Sequence, residues 1–259
     1  MTARRTILIA LALTLAAGGA YGLWYLFLKP AGPAAVGLSD ATTTPASIDP
    51  ASSTAGASAS SSDTGSGASG TPTTTSLDGD WSVDGSIGSF SDFSGSFVGY
   101  RIQEELATVG GNEAVGRTPN VSGTLTIAGT TVTAVEITAD MTALQSDDDR
   151  RDNQLRRQSI ETDTYPSATF SLTSPIELGS IPADGEVVQA AASGELTLHG
   201  QVRAVTVPLE ARLSGEVITV TGTIPIALAD YGIEKPTSFL VLSVADEATM
   251  ELQLHFTRP

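Results

Sequence analysis

The sequence predicts an all-β domain of antiparallel strands with one helical excursion. Apolar and polar residues alternate in several runs, glycine-containing turn signals separate these runs, and an arginine-rich segment of helical character interrupts them at residues 142–170. Each run has one apolar and one polar face, which is typical of an antiparallel sheet. With no second helical layer to cover its apolar face, such a sheet must fold on itself. It does so as a sandwich or a barrel, and periodicity does not choose between them.

The clearest strands place an apolar side chain at every second position. These runs are Thr131–Met141, Ala204–Leu213, Val217–Ala227 and Met250–Phe256. Turn residues at hairpin spacing punctuate them at Ala128-Gly129, Asp184-Gly185, His199-Gly200 and Ser214-Gly215. The pattern predicts about eight to ten strands.

The helical excursion is expected to begin at Ser146, because a serine N-cap followed by acidic residues satisfies free backbone amides and complements the helix dipole. Four arginines follow, among them Arg150 and Arg151. These two are candidates for binding an anionic head group such as a prenyl phosphate. The alternative is a solvated helix face that pairs with nearby aspartates at i,i+4 spacing.

The N-terminal segment is typical of a membrane anchor. Ile7–Leu28 carries no charge and would span about 33 Å as a helix, enough to cross a bilayer. Arg4 and Arg5 precede it and a single lysine, Lys29, follows, so residues 1–29 are expected to form a single-pass anchor with a cytoplasmic N-terminus. Cleavage near Ala35 is the alternative; in both cases the remainder of the chain is exported across the cell membrane.

Residues 30–76 are dominated by Ala, Ser, Thr, Gly and Pro, which predicts a disordered linker. As a flexible coil this linker would separate its ends by about 35–40 Å. Residues 77–259 then form one domain with a core of ordinary size.

Charge and residue content exclude several classes of function. The chain carries a formal net charge of −16, concentrated in residues 77–259, which opposes binding to nucleic-acid phosphates. It contains no cysteine and only two histidines, His199 and His255, both in the polar phase of their strands and expected at the surface. No nucleophile or metal-ligand motif is evident. We therefore expect no enzyme activity, no metal and no cofactor.

Three groups of residues resemble the signature of the YceI-like, polyisoprenoid-binding family. They are Arg151-Asp152 ahead of Leu155 with Tyr165-Pro166 and Ala168-Thr169-Phe170; the run Gly194–Gly200, G-E-L-T-L-H-G; and Asp230-Tyr231-Gly232-Ile233. The resemblance covers the chain from about Asp80 onward. It implies an eight-stranded, lipocalin-like antiparallel barrel, with an apolar cavity that holds an isoprenoid lipid such as a quinone or a polyprenyl chain.

Side chains in the apolar phase are the candidate ligand contacts, because alternate residues of a strand point to one face. These are Phe93, Phe97, Val135, Ile137, Phe170, Leu172, Leu196, Leu198, Val205, Val207, Ile218, Val220, Leu252 and Leu254. The alternative function is an extracytoplasmic stress-response or protein-interaction module. Its barrel would be packed solid, with irregular segments at Arg101–Asn120 and Tyr231–Asp246 as the contact surface. A homodimer is compatible with both.

Overall fold

The structure is a computed structural model that describes residues 32–38, 76–107, 110–236 and 241–259. The described residues form one antiparallel sheet. Its thirteen strands are β1 (Gly79–Val83), β2 (Phe97–Leu106), β3 (Gly110–Thr118), β4 (Val121–Ala128), β5 (Thr131–Asp140), β6 (Gln145–Ser146), β7 (Ser167–Leu172), β8 (Ile176–Glu177), β9 (Val187–Leu198), β10 (Gln201–Ser214), β11 (Val217–Ala227), β12 (Val241–Val244) and β13 (Glu247–Thr257).

Eight of these strands close into a barrel. They follow the order β1-β4-β5-β7-β9-β10-β11-β13, and the ring closes where Phe256 of β13 pairs with Val83 of β1. The prediction of an all-β, eight-stranded antiparallel barrel is therefore confirmed. Closure also removes the choice between sandwich and barrel that periodicity had left open.

The β2–β3 hairpin extends one wall of the barrel. Leu252 of β13 pairs with Val98 of β2, next to the part of β13 that pairs with β1, and β3 then pairs with β2 over its whole length. The expectation of an irregular segment at Arg101–Asn120 is wrong. Charged residues and glycines interrupt the alternation of apolar and polar residues in this segment. Its backbone nevertheless forms β2 and β3, which pair with each other and with β13.

The turn between β9 and β10 shows how local sequence sets the strand register. His199 and Gly200 both have positive φ, 51° and 70°, as a two-residue type I′ hairpin requires. A Cβ on Gly200 would lie 2.8 Å from the Tyr165 ring, so both the backbone and the packing favour glycine here.

Helix α1 (Asp149–Gln154) lies across one end of the barrel and continues as a single π-helical stretch, Leu155–Ser159. Its N-cap is Asp148, whose carboxylate accepts the Arg150 amide at 2.8 Å, not Ser146 as predicted. Ser146 instead belongs to β6 and donates its hydroxyl to Asp152. Three successive aspartates offer alternative caps, and the pairing of β6 with β3 decides among them.

Two clusters of apolar side chains line the barrel interior, one at each end. The cluster at the helix end includes Met141, Leu155 and Tyr231; the cluster at the opposite end includes Trp81 and Leu213. Several partly buried side chains, Val98 among them, pack against both clusters. The apolar interior therefore runs along the whole barrel axis.

Residues 32–38, within the predicted linker, lie extended on the outer wall of the barrel. The carbonyl oxygen of Ala34 accepts hydrogen bonds from Arg101 of β2 and Arg117 of β3, at 2.5 and 2.8 Å. The amide of Leu38 donates to Glu210 of β10 at 2.7 Å, and the Leu38 side chain is buried. This part of the predicted linker thus contacts the barrel, because buried guanidinium groups bind its carbonyls.

No helix among the described residues has the length and apolar character needed to cross a bilayer. The predicted membrane-spanning run, 7–28, lies outside the described residues, as do positions 39–75 of the predicted linker.

Candidate functional site

A cavity of about 180 Å³ lies inside the barrel, away from the helix. Its wall is almost wholly apolar, with side chains from β4, β5, β7, β9, β10, β11 and β13. Nine of the predicted ligand contacts line it: Val135, Ile137, Phe170, Leu196, Val207, Ile218, Val220, Leu252 and Leu254. Strand alternation thus brings together most of the predicted site.

A second cavity of about 110 Å³ lies at the helix end. It is lined by the predicted contact Leu198 and by Tyr100 and Arg151. The two cavities share the side chains of Val98, Ala168 and Met250 as a common wall. They are therefore consecutive compartments along one barrel axis.

Two predicted contacts, Phe93 and Phe97, line neither cavity. Both rings stack against the guanidinium of Arg117, at 4.4 and 4.2 Å from the ring centroids. The predicted inward position of Phe97 is wrong, because the phase of β2 is the reverse of that assumed: Val98, Tyr100 and Ile102 line the cavities, so Phe97 points outward. Phe93 precedes β2, in a loop where its φ is 57°.

Two other predicted contacts, Leu172 and Val205, pack against the apolar clusters without lining a cavity. The two predicted head-group residues also separate: Arg151 lines the second cavity, whereas Arg150 is exposed and does not. Tyr100 was not among the predicted contacts, although it alternates with the polar residues Arg101 and Gln103 in the sequence.

Arg151 is the basic side chain that lines the second cavity, and it is paired with two carboxylates. Its guanidinium donates to Glu104 at 2.7 Å and to Asp147, four residues earlier. Burial alone would lower the pKa of Arg151, but Glu104 and Asp147 together raise it above its usual value. The predicted i,i+4 pairing of this helix with nearby aspartates is thus present.

Tyr100 also lines the second cavity, together with the polar residues Glu104 and Ser159. It pairs with Gly116 across β2 and β3, and a Cβ on Gly116 would lie 2.4 Å from the tyrosine ring. Because Gly116 has no side chain, the Tyr100 ring can pack directly against β3. Burial raises the pKa of the Tyr100 hydroxyl well above its usual value, so the hydroxyl is protonated at neutral pH.

Both histidines are buried, contrary to the predicted surface position. His199 Nδ1 lies 2.9 Å from the Tyr231 carbonyl oxygen and its Nε2 lies 3.1 Å from Glu161. His255 does point outward from β13, but the loop before β2 covers it, and its Nε2 lies 2.9 Å from the Ser94 carbonyl oxygen. Each ring is held by hydrogen bonds to residues that are distant in the sequence. Within the described ranges, no three His, Cys, Asp or Glu side chains are grouped as metal ligands would be.

Fold and site together define a class of protein: a closed antiparallel barrel with an elongated apolar interior and few polar groups at one end. The sequence model of the YceI-like domain matches residues 47–256, and the chain belongs to that family. No curated protein matches the chain significantly.

The chain is similar to several solved structures at low sequence identity. A polyisoprenoid-binding domain from Saccharophagus degradans, implicated in plant cell wall breakdown, is 22% identical, with a TM-score of 0.54 over 69% of this chain and 98% of its own. BcnA of Burkholderia cenocepacia is 22% identical, with a TM-score of 0.49 over 67% of this chain and 98% of its own. The YCEI protein of Campylobacter jejuni is 16% identical, with a TM-score of 0.46 over 56% of this chain and 84% of its own.

Proposed function

We propose that this protein is a membrane-tethered, extracytoplasmic binding protein that holds an isoprenoid-type lipid in its barrel. The observation that carries the proposal is the pair of cavities, which share three lining side chains and follow one axis. Such a shape suits a long, narrow, apolar ligand. The fold shared with a polyisoprenoid-binding domain supports the same ligand class.

The energetics favour a hydrocarbon chain over a polar ligand. Each 100 Å² of apolar ligand surface buried contributes about 2.5 kcal/mol. The first cavity offers almost no hydrogen-bonding group that would discriminate one chain from another. Binding there is therefore expected to depend on the length and width of the ligand.

The alternative, a protein-interaction module with a solid barrel, has less support. Its barrel would lack cavities, and one of its two proposed contact segments is instead the β2–β3 hairpin. We therefore favour non-catalytic lipid carriage.

Lipid binding is tested by native mass spectrometry of the full-length protein from detergent, offered isoprenoid quinones and polyprenols. Ala190 lines the first cavity and the adjacent Ala191 is exposed. Ala190→Phe should reduce lipid uptake at least tenfold, because the ring occupies the volume of the chain, whereas Ala191→Phe should not. Absence of uptake by the parent protein, or equal uptake by the two variants, would refute the carrier function.

Membrane tethering rests on the N-terminal sequence and is tested separately. Fusions of a reporter to the C-terminus should be active only when the reporter folds outside the cytoplasm. A mature protein beginning near Ala35 would keep the export but remove the anchor. Cleavage there would remove Pro33 and Ala34, whose carbonyls bind Arg101, and these contacts therefore support an uncleaved anchor.

A further inference from the structure

The Tyr100 hydroxyl is a buried polar group for which no described residue provides a hydrogen-bond partner. Its ring lies against Gly116 and lines the second cavity. A buried hydroxyl without a partner has lost its hydrogen bonds to water and gained none in the folded protein. A ligand oxygen in this cavity would supply the missing hydrogen bond by accepting the hydroxyl proton.

Arg151 does not supply the charge that an anionic ligand would need there. Its guanidinium already donates to Glu104 and Asp147. A third carboxylate, Asp152, is held nearby through Ser146. The surroundings of Tyr100 thus contain three carboxylates against one guanidinium, and a phosphate would meet net repulsion.

From this geometry we propose that the second cavity takes the neutral, oxygen-bearing end of the isoprenoid ligand, with Tyr100 as the hydrogen-bond donor. The proposal rests on the proposed lipid-binding function and names the ligand class: a quinone or a polyprenol, not a prenyl phosphate. The shared chemistry is an uncharged acceptor oxygen at the end of a prenyl chain. Glu104 and its neighbouring carboxylates exclude the anion, and the first cavity holds the chain.

The test compares four ligands on the full-length protein in detergent by native mass spectrometry and equilibrium dialysis. Geranylgeraniol, geranylgeranyl phosphate and a menaquinone of the same prenyl length differ only at the head, and squalene has no polar head. The parent protein should bind the alcohol or the quinone at least tenfold more tightly than the phosphate. Equal or tighter binding of the phosphate would overturn the proposal.

Tyr100→Phe isolates the hydroxyl. It should weaken binding of the favoured neutral ligand about three- to tenfold, the effect of one hydrogen bond, and leave squalene binding unchanged. Whether the quinone or the alcohol responds identifies the acceptor; if neither responds, the proposal is wrong. Glu104→Gln removes one carboxylate and should reduce the ratio between the affinity for the neutral ligand and the affinity for the phosphate. An unchanged ratio would contradict the role of the carboxylates in excluding the anion.

Squalene distinguishes failure of this inference from failure of the proposed function. If squalene binds but the head group of the other ligands has no effect, only this inference fails; if no isoprenoid binds, the carrier function fails as well.

Discussion

The carboxylate of Glu251 lies 2.6 Å from Nε of Arg117, on the outer wall of the barrel, and has no solvent-exposed surface. Its second oxygen accepts Nε of Arg101 at 2.8 Å. One glutamate of β13 therefore pairs with an arginine from each of β2 and β3. The same two arginines bind the segment 32–38, so this carboxylate supports both the wall and the chain that lies on it.

Removing that carboxylate should be costly. Glu251→Ala leaves Arg117 buried without a counterion and leaves Arg101 with only the partly exposed Glu113, so we expect the free energy of unfolding to fall by about 3–5 kcal/mol. Glu113→Ala removes the partly exposed partner of Arg101 and should cost less than about 1 kcal/mol. Urea denaturation of both variants measures the contrast; similar losses would mean that the buried network is not the stabilising unit.

The phase of β10 predicts opposite results for two adjacent substitutions. Val207 lines the first cavity and is 3% exposed, whereas Thr206 is exposed. Val207→Asp should abolish folding or lipid binding, because an unpaired carboxylate inside the barrel is poorly solvated. Thr206→Asp should change stability by less than about 0.5 kcal/mol. Circular dichroism and lipid uptake provide the readouts, and equal behaviour of the two variants would show that the strand register is wrong.

Gly116 should resist substitution, although alanine is usually tolerated in a strand. In Gly116→Ala the new methyl group collides with the Tyr100 ring, and we expect a loss of about 1–3 kcal/mol in thermal or urea unfolding. Gly111 of the same strand has no atom within 4 Å of the place that an alanine methyl group would take. Gly111→Ala is therefore the matched control, and should be neutral or slightly stabilising. A tolerated Gly116→Ala would place the tyrosine ring elsewhere.

Burial of Tyr100 predicts a loss of stability at alkaline pH. The folded state raises the pKa of this hydroxyl and so retains its proton more tightly than the unfolded chain, where tyrosine titrates near pH 10. The contribution of the protonated Tyr100 hydroxyl to the free energy of unfolding is complete below about pH 10. It is lost as the pH rises further, by up to about 1.4 kcal/mol per pH unit. Tyr100→Phe should lessen this slope in urea titrations between pH 9 and 11.

At neutral pH the same variant should match or slightly exceed the parent in stability without ligand, since the hydroxyl has no partner among the described residues. A large destabilisation at neutral pH would indicate a partner for the hydroxyl.

The alternating runs were predictable from the sequence because burial on one face leaves a local signature. Val135 and Ile137 of β5, like Val207 of β10, follow that signature and line the first cavity. The phase of β2 was predicted wrongly, because the aromatic residues at 93 and 97 suggested the interior, whereas Tyr100 lines a cavity and Phe97 does not. The Phe97 ring lies outside through its contact with Arg117, twenty residues later in the sequence.

Other features depend on contacts between distant parts of the chain, which periodicity does not record. The polar phase of His255 correctly indicated the outer face, but the loop that covers it comes from about 160 residues earlier in the chain. The second cavity likewise arises where helix α1, the β2–β3 hairpin and β13 converge. The sequence therefore predicted the wall of the site better than its polar end.

The contacts of segment 32–38 with the barrel limit how far the domain could lie from the proposed membrane anchor. Only two residues separate Lys29, at the end of the proposed membrane segment, from Gly32, a distance of about 10 Å even when fully extended. The barrel would thus remain beside the bilayer, with its lipid source or recipient within one molecular diameter. The reach of about 35–40 Å that a free linker would give is not available to it. Leu38 and Ser76 are both held at the barrel, so changing the number of residues between them would leave the distance between the domain and the proposed anchor the same.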